Sequence, residues 1–478
     1  MEHPSAYRGR RVVVLGLARS GVAVAKWFHD AGALVTVNDK KERDRCPEAD
    51  ELEALGISVV CGEHPPELVN EDVALVVKNP GIPYSIEPIR RAAELGIDTV
   101  TEVEVAYFLC KAPMIGITGS NGKTTTTTWT GLMLEAGGLK PIVAGNIGRA
   151  LTEAALEAEP DNRMVVELSS FQLKGTKQFR PAVACLLNIY ETHLDYHGTM
   201  EDYVVSKQKL FANQTESDVA VLNWDDSVCR MTAANVRSKV LAFSTKETLD
   251  YGLYVQPPLT EAKASGVTPV IVYRDEAGIE HELLPTSELG IPGSHNIENA
   301  LAASAMAIAS GVALEVIARV LREFRGVEHR LEFVAGMNDV QFYNDSKATN
   351  PAATTKTIES FQQPIVLIAG GLDRGSDYME LLPVFESRIK GLVAFGETKE
   401  KIARVARLAG MSGVKTVDTA ANGLQITVNE AVEAAYAMAE PGDVVLLSPA
   451  CASWDMFPSY EERGRMFKQS VHNLVKGE

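Results

Sequence analysis

Gly116-Ile-Thr-Gly-Ser-Asn-Gly-Lys-Thr124 is the stretch of this sequence that decides the fold, and a run of threonines follows it. The apolar segment from Pro113 to Ile117 predicts a β-strand, and the residues after the glycines predict a helix. Closely spaced glycines let backbone N–H groups turn towards phosphate oxygens, while the N-terminus of the helix adds partial positive charge. We expect Lys123 to reach the β- and γ-phosphates of ATP and the Thr124 hydroxyl to help hold Mg²⁺. The stretch therefore predicts an ATP-using enzyme.

The spacing departs from the usual phosphate-loop pattern at one position. That pattern has a glycine five residues before Gly122, where this chain has Ile117. The alternative is a glycine-rich turn with no ligand. Because a strand, a loop, a Lys-Thr pair and a helix follow in the order that phosphate binding requires, the nucleotide site is favoured.

Length, charge and composition restrict the class of protein. A chain of 478 residues with 46% hydrophobic and 23% charged residues is typical of a soluble globular protein with two to four domains. The net charge of −17 argues against a general nucleic-acid binder. The N-terminus lacks the order of a signal peptide, and the uncharged stretch around 300–314 is too short to span a bilayer. The 6 cysteines form no CxxC pair. We therefore expect a cytoplasmic protein with free thiols and no membrane insertion.

Three successive segments alternate strands and helices, which predicts an α/β fold with mostly parallel sheets. The first opens with the turn Gly16-Leu-Ala-Arg-Ser-Gly21, and Asp39 follows where a ribose-binding acid belongs. Because Ala18 replaces the middle glycine of the nicotinamide-cofactor pattern, a nucleotide-diphosphate site or a plain turn is also consistent with the residues. We expect a Rossmann-like domain over 1–108, a central P-loop ATPase-like domain with peripheral antiparallel strands over 109–327, and a Rossmann-like domain over 328–478.

Two candidate metal ligands follow strands of the central segment. Glu167 ends one strand, and a carboxylate there suits Mg²⁺, a hard cation. His193 follows another strand together with Asp195 and His197. The alternatives are a capping or solvated glutamate and a structural histidine. Zinc is disfavoured because the set lacks a clear third ligand.

The last segment carries polar loops after three predicted strands, at 344–350, 370–374 and 448–457. Such loops predict one rim, where Arg374, Thr349 and Ser453 could hold a small anion. Before it, Arg330 is placed to bind a transferring phosphoryl group. The asparagines of 293–299 could bind a nucleotide base or cap a helix.

Taken in order, these motifs resemble those of the Mur ligases, the ATP-dependent amide-forming enzymes of peptidoglycan precursor synthesis. The resemblance covers essentially the whole chain, through residues 116–124, 167–173, 188–198, 293–299, 329–330 and 344–350. Within the family, the N-terminal turn and the loops at 344–350, 370–374 and 447–457 are similar to those of members that join D-glutamate to UDP-N-acetylmuramoyl-L-alanine. The resemblance implies an acyl phosphate intermediate, ATP and Mg²⁺ as cofactors, and these two substrates; we also expect a monomer.

The resemblance assigns roles to the residues that match the motifs. It implies catalytic roles for Lys123, His193, Lys207 and Arg330. It implies ATP contacts for Gly116, Gly119, Ser120, Asn121, Gly122, Lys123, Thr124, Thr125, Asn296, Arg330 and Asp345. It implies contacts to the UDP-linked substrate for Leu17, Ala18, Arg19, Asp39, Gly81, Asn146 and Ser169. It implies D-glutamate contacts for Thr349, Arg374, Ser453 and Tyr460. It implies metal contacts for Thr124, Glu167, His193 and a carbamylated Lys207.

Three positions differ among family members or from what the residues alone suggest. From the residues alone, Lys207 is an ordinary lysine on a helix surface, whereas family members carry the matching lysine as a carbamate, an anionic oxygen ligand. Thr192 stands where the family often has an aspartate before the metal-binding histidine. Arg374 stands where some relatives carry lysine, and only arginine pairs with a carboxylate as a planar fork.

Other readings stay open at this point. Another Mur-type ligase or a folylpolyglutamate-type ligase would share the central motifs, although a folate enzyme would not need the first domain. An NAD-dependent oxidoreductase could use the turn at Gly16. A non-catalytic nucleotide-regulated protein is disfavoured because Lys123, Glu167 and His193 are all present.

Overall fold

The computed structural model describes residues 1–147, 149–419 and 423–476. The described residues form three sheets covered by helices, which confirms the α/β prediction. The chain divides into two compact units. The first comprises Met1–Glu288 and Ile297–Arg322, and the second comprises Leu289–Asn296 and Glu323–Glu478.

The first sheet of the first unit has the strand order β3-β2-β1-β4-β5, and all of its described pairs are parallel. Its strands are β1 (Arg11–Leu15), β2 (Leu34–Asp39), β3 (Ser58–Cys61), β4 (Val73–Lys78) and β5 (Thr99–Thr101). Its helices are α1 (Arg19–Asp30), α2 (Glu48–Ala54), α3 (Glu87–Glu94) and α4 (Glu102–Leu109). The chain reverses its winding between β1 and β4, and ligands bind at such switch points in open α/β sheets.

The second sheet of this unit has the order β14-β13-β12-β11-β10-β9-β6-β8-β7. Its strands are β6 (Met114–Thr118), β7 (Lys140–Gly145), β8 (Asn162–Glu167), β9 (Val183–Leu186), β10 (Val219–Asn223), β11 (Lys239–Ser244), β12 (Gly252–Gln256), β13 (Val270–Arg274) and β14 (Glu280–Pro285). Within the described residues, the β12–β13 and β13–β14 pairs at the edge are antiparallel and the other pairs are parallel. The predicted peripheral antiparallel piece is therefore confirmed.

Helices fill the connections of the second sheet, and two more follow its last strand. They are α5 (Lys123–Ala136), α6 (Leu151–Glu157), α7 (Ser170–Lys174), α8 (Leu194–His197), α9 (Met200–Gln208), α10 (Ser227–Ala233), α11 (Leu259–Ser265), α12 (Ser294–Ala309) and α13 (Leu314–Glu323). The core of the sheet is apolar, and Met164, Val166 and Leu186 are fully buried in it. The uncharged stretch of the sequence lies in α12, where Ala300, Leu301 and Met306 are 0% exposed. The buried helix predicted there is confirmed.

Helix α5 follows the glycine loop although its sequence is poor in helix formers. It contains five consecutive threonines, Thr124–Thr128, and threonine loses side-chain freedom in a helix. Two threonine hydroxyls donate hydrogen bonds to backbone carbonyls four residues earlier: Thr128 Oγ1 to Thr124 O (2.9 Å) and Thr130 Oγ1 to Thr126 O (2.8 Å). The helix packs against β7 and β8, so packing rather than intrinsic propensity holds it.

The sheet of the second unit has the order β15-β16-β20-β17-β18-β19. Its strands are β15 (Glu332–Met337), β16 (Val340–Asn344), β17 (Ile365–Ala369), β18 (Ile389–Ala394), β19 (Gly413–Thr416) and β20 (Val444–Leu447). Its helices are α14 (Pro351–Glu359), α15 (Leu382–Arg388), α16 (Lys399–Leu408), α17 (Leu424–Met438) and α18 (Tyr460–Lys476). Because β16, β20 and β17 are adjacent and parallel, the three polar loops that follow them lie side by side, as predicted.

Glu298 on α12 provides a test of how burial affects stability. Burial, and then the nearby Asp225 carboxylate, raise its pKa from 4.5 to about 7. A raised pKa means that the folded protein holds this proton more tightly than the unfolded chain does. The stabilisation that the bound proton of Glu298 contributes is therefore fully present below pH 4.5 and is lost as the pH rises through about 7.

We expect Glu298→Gln to raise the free energy of unfolding by about 2 kcal/mol at pH 8, because each pKa unit is worth about 1.4 kcal/mol and water screens part of the shift. At pH 4, below the pKa of 4.5 that the group has in the unfolded chain, the change should be close to zero. Urea denaturation at both pH values measures it, with the exposed Glu315→Gln on α13 as the control. An equal change at both pH values would contradict the assignment to the carboxyl proton.

Candidate active site

The glycine loop, residues 119–122, joins β6 to α5 in the predicted order of strand, loop and helix. Its backbone is held by Asn188, whose Oδ1 accepts a hydrogen bond from Asn121 N (2.9 Å) and whose carbonyl accepts one from Ser120 N (2.9 Å). Gly122 caps the helix with φ at +83°, a conformation that favours glycine. These hydrogen bonds hold the loop against the segment after β9, directly before the N-terminus of α5.

Gly122→Ala should damage this loop for two separate reasons. The backbone conformation disfavours a side chain, and the added Cβ would lie 2.2 Å from Asn299 Oδ1. We expect the KM for ATP to rise about a hundredfold, as one misplaced positioning group can cost. Steady-state kinetics with varied ATP measures this. Gly138→Ala is the control, because Gly138 shares the positive φ (+80°) but a Cβ there would meet nothing within 4 Å. An unchanged KM for ATP would place the nucleotide elsewhere.

Lys123 begins α5, and its Nζ donates to the carbonyls of Gly119 (2.8 Å) and Ser120 (3.0 Å). Thr124 and Thr125 follow in the first turn and are buried. The Ser120 hydroxyl bonds the Tyr203 hydroxyl at 2.8 Å and thereby fastens the loop to α9. Gly116 lies inside β6 rather than in the loop. A Cβ there would lie 2.7 Å from Leu210 Cδ1, so its small size is explained by packing.

Glu167 ends β8 beside the loop and is 2% exposed. Its Oε1 accepts a hydrogen bond from Asn146 Nδ2 at 2.9 Å. Its Oε2 is buried and has no hydrogen-bond partner among the described residues. Buried polar atoms are normally paired, so an unpartnered carboxylate oxygen fits a hard cation such as Mg²⁺.

Lys207 on α9 is 2% exposed, so the interpretation of it as an ordinary surface lysine was wrong. Its helix packs this side chain under the phosphate loop, where Nζ donates to Thr118 Oγ1 (3.1 Å) and Gly119 O (2.9 Å). Burial, and then the Lys123 ammonium, lower the pKa of Lys207 well below its usual value, while Glu167 acts in the opposite direction. A neutral amine is the form that can react with carbon dioxide.

His193 lies at the N-terminal cap of α8 with φ at +57°, and its ring packs 5.0 Å from that of Phe171. His197 is engaged elsewhere, since its Nδ1 bonds Asp202 (2.6 Å) and its Nε2 bonds the Ser170 hydroxyl (2.9 Å). The side chain of Asp195 lies outside the described residues. A cluster of three His, Cys, Asp or Glu side chains able to hold a metal is absent from the part of the chain that the structure describes.

The turn after β1 connects this strand to α1, the order that the sequence predicted. Leu17 N donates to Asp39 Oδ2 at 2.8 Å, so Asp39 fixes the turn. Ala18 caps α1 and Arg19 is its first residue. Gly81 is exposed in the loop after β4, the neighbour of β1. Ser169, predicted to contact the same substrate, forms a capping box with Gln172 at the start of α7.

In the second unit, Asp345 follows β16 and is buried. Its Oδ2 accepts hydrogen bonds from Thr357 Oγ1 (2.6 Å) and Ser448 Oγ (2.9 Å), and its Oδ1 accepts one from Leu331 N (3.2 Å). Burial raises its pKa to about 6. The carboxyl group thus ties the start of β15 to the ends of β16 and β20.

Asn296 is also buried, and its Nδ2 donates to Pro292 O at 2.5 Å. Its neighbour His295 lies close to Arg330 and Lys356. These two cations disfavour a positive charge on the exposed His295 imidazole. The second unit therefore groups a concentration of positive charge around Arg330.

The predicted anion-binding rim lies at the ends of β16, β17 and β20. Ser453 is 2% exposed and Thr349 is half-buried, whereas Arg374 is exposed. The Arg374 guanidinium lies 5.2 Å from the ring centroid of Trp454, a cation–π distance. Tyr460 begins α18 with its ring 6.3 Å from that of His329.

Arg463 is a residue that the sequence reasoning missed. It is 1% exposed on α18, and its guanidinium donates to the carbonyls of Ser346 (2.8 Å), Gly370 (3.5 Å) and Cys451 (3.1 Å). One cation thus binds all three loops of the rim. The available signal was Gly464, because a glycine inside a helix marks a close approach; a Cβ there would lie 2.2 Å from His329 Nδ1.

A glycine loop between a parallel strand and a helix, followed by Lys-Thr and flanked by a buried carboxylate, defines a nucleoside-triphosphate-binding α/β enzyme. Three family models match the chain: "Mur ligase MurD-like, N-terminal domain" over residues 10–101, "Mur ligase middle domain" over 117–307, and "Mur ligase, glutamate ligase domain" over 329–451. The chain belongs to the Mur ligase family.

Relatives match it over nearly their full length. A UDP-N-acetylmuramoylalanine–D-glutamate ligase from a Geobacillus species is 47% identical over 99% of this chain and 100% of its own length. One from Geobacillus kaustophilus is 48% identical over 98% of both chains. The resemblance to the Mur ligases is thus confirmed.

Solved structures support the fold. The UDP-N-acetylmuramate-alanine ligase MurC from Thermotoga maritima is 19% identical, with a TM-score of 0.55 over 98% of this chain and 100% of its own. MurF from Acinetobacter baumannii is 19% identical, with a TM-score of 0.59 over 93% and 91%. Among the described residues, every helix is too short or too polar to cross a membrane.

Proposed function

We propose that this chain is an ATP-dependent ligase that joins D-glutamate to UDP-N-acetylmuramoyl-L-alanine in peptidoglycan precursor synthesis. The full-length match to relatives with that name, at 47–48% identity, carries the choice of substrates. The phosphate loop beside Glu167 supports ATP as the energy source. The two products besides the amide are ADP and phosphate.

The chemistry has two steps. The substrate carboxylate attacks the γ-phosphorus of ATP, the bond to the bridging oxygen of ADP breaks, and an acyl phosphate forms. The amine of D-glutamate then attacks the acyl carbon, loses a proton, and phosphate leaves. Because two anions meet in the first step, Lys123 and Arg330 are needed to offset the charge on the phosphoryl group.

The donor set fits Mg²⁺. Thr124, Glu167 and His193 would hold it, together with Lys207 once its neutral amine has added carbon dioxide and lost a proton to form a carbamate. Bound there, the ion would neutralise phosphate charge. The unpartnered Oε2 of Glu167 supports this assignment. The phosphate-loop amides and Lys123 orient the nucleotide.

The remaining contacts extend the proposal. Gly119, Ser120, Asn121, Gly122, Thr125, Asn296 and Asp345 would bind ATP, and Gly116 supports their strand. Leu17, Ala18, Arg19, Asp39 and Gly81 would bind the uridine nucleotide. Asn146 would contact the sugar-peptide part, and Ser169 would also contact the UDP-linked substrate. Thr349, Arg374, Ser453 and Tyr460 would bind D-glutamate.

We place the domain boundaries at 108–109 and 327–328, between the stretches matched by the family models. We further propose that the protein acts in the cytoplasm as a monomer without membrane insertion. Sedimentation equilibrium tests the monomer, and fractionation of cells tests the location.

Phosphate release from ATP tests the function. The assay contains UDP-N-acetylmuramoyl-L-alanine and compares D-glutamate with L-glutamate, D-aspartate, glycine and no amino acid. Release that depends on both the nucleotide and D-glutamate is the expected result. Release with a different amino acid would make the chain another Mur-type ligase. Absence of release in every mixture would overturn the substrate assignment.

A further inference from the structure

Lys78, the last residue of β4, is 1% exposed. Its Nζ donates to Pro80 O at 2.9 Å and to the Tyr196 hydroxyl at 3.1 Å. Within the described residues, the charged group that acts on it is another lysine, Lys174, and burial followed by that ammonium lowers the pKa of Lys78 to about 7. Burying an ammonium is costly unless its partners compensate. A methionine would fill the same space without this cost, so the amine itself needs an explanation.

Two tyrosine rings enclose the amine. Its Nζ lies 4.6 Å from the ring centroid of Tyr84 and 5.8 Å from that of Tyr196. The Tyr196 hydroxyl in turn donates to the carbonyls of Pro80 (3.0 Å) and Ile82 (3.3 Å). Lys78 and Tyr196 therefore fix the backbone of the loop at 79–83 from one side.

This loop contacts the turn after β1 on its other side. Asn79 N donates to Leu15 O at 2.8 Å, and Asn79 Oδ1 accepts a hydrogen bond from Ser20 Oγ at 3.3 Å. A Cβ on Gly16 would lie 2.8 Å from Asn79 Cβ, so the loop and the turn are in close contact. Any displacement of the loop would therefore disturb the turn.

Tyr196 connects the same loop to the helix after His193. It lies on α8, which begins at Leu194. The Phe171 ring packs 4.4 Å from the Tyr196 ring and 5.0 Å from the His193 ring. Lys78 thus stands where the first sheet of this unit meets the α8 segment of the second.

We propose that Lys78 is a positioning residue that locks the loop at 79–83 to α8 and so sets the place of the UDP-linked substrate relative to His193. This rests on the proposed function of the Gly16 turn and Gly81. Lys78 acts through Pro80 and Tyr196 and touches no reacting atom. A loop ordered before binding does not have to be ordered by the substrate, which lowers the KM for that substrate alone.

The test is Lys78→Met. We expect the KM for UDP-N-acetylmuramoyl-L-alanine to rise about tenfold, the effect of one lost charge-assisted contact. The KM for D-glutamate should change less than twofold. Tyr196→Phe should also raise the KM for UDP-N-acetylmuramoyl-L-alanine. The double variant should have a KM no higher than that of the more affected single variant, because both residues act on one loop.

Lys209→Met is the matched control. Lys209 is half-buried and also donates to two carbonyls, those of Lys174 (2.5 Å) and Thr176 (3.2 Å), but it does not bond the loop. All KM values of this variant should stay within twofold of the parent. The proposal would be overturned if Lys78→Met raised the KM of every substrate, or if it left the KM for UDP-N-acetylmuramoyl-L-alanine unchanged.

Hydrogen exchange separates this inference from the proposed function. The Ile82 amide, which donates to Asn79 O at 3.0 Å, should exchange at least severalfold faster in Lys78→Met than in the parent or in Lys209→Met. If the parent shows no D-glutamate-dependent activity, the proposed function is wrong. The exchange rate of the Ile82 amide still tests the role of Lys78 in that case. Unchanged exchange would refute it. Should Lys78→Met not fold, Tyr196→Phe, which keeps its ring, carries both measurements.

Discussion

Replacing Lys123 with alanine should reduce D-glutamate-dependent phosphate release about a thousandfold, the effect of deleting one preorganised cationic donor. The reason lies in its position at the start of α5, with Nζ beside the carbonyls of Gly119 and Ser120. That position lets one ammonium meet phosphoryl charge as it develops. We expect the loss in kcat to exceed the rise in the KM for ATP, since the contact strengthens as charge develops.

Lys140→Ala is the control for this experiment, because Lys140 lies on β7 with its ammonium paired to Asp161 at the surface. Its kcat should equal that of the parent. If Lys123→Ala keeps a third or more of the parent rate, the phosphate loop is not used for catalysis. The chain would then be a nucleotide-regulated protein.

On the proposed role of Lys207 as a metal-binding carbamate, Lys207→Met should lower kcat at least a hundredfold, because that ligand and a group under the phosphate loop are lost together. The melting temperature should not fall, since the buried amine is replaced by an apolar side chain of similar length. Labelling with ¹³C-bicarbonate should produce a carbamate carbon resonance in the parent that is absent from the variant. This resonance distinguishes a modified lysine from a structural one.

Lys209→Met again serves as control, two residues further along the same segment. It should retain the parent rate and the carbamate resonance. A parent spectrum without a carbamate signal, in the presence of Mg²⁺ and bicarbonate, would count against the carbamate. A Lys207→Met variant of normal rate would remove Lys207 from the site altogether.

Much of this fold could be predicted from local pattern. The apolar runs at 219–223 and 365–369 are strands with those same bounds in the structure. Parallel pairing follows from the alternation with helices, and the side-by-side position of three polar loops follows from the adjacency of β16, β20 and β17. Strand ends are harder to predict from pattern. The apolar run at 182–189 is a strand only over Val183–Leu186, because the residues after it turn away and Asn188 bonds the phosphate loop.

The buried cations could not be predicted in the same way. Lys78, Lys207 and Arg463 each occur among residues whose spacing is compatible with an exposed position. Their burial depends on carbonyl groups from loops distant in sequence, such as Cys451 O for Arg463 and Gly119 O for Lys207. A single sequence holds the periodicity of a helix but not the shape of the surface that the helix meets.

The threonines of α5 have a consequence for how this protein folds. A segment so weak in intrinsic helix propensity has little tendency to nucleate by itself, so the phosphate-binding turn should be created late, once β7 and β8 offer a surface. Ligand affinity is then tied to the integrity of that surface. Conditions that loosen the sheet should abolish nucleotide affinity before the remaining helices melt, and stopped-flow binding of a fluorescent ATP analogue during refolding should lag behind the gain of helical circular dichroism.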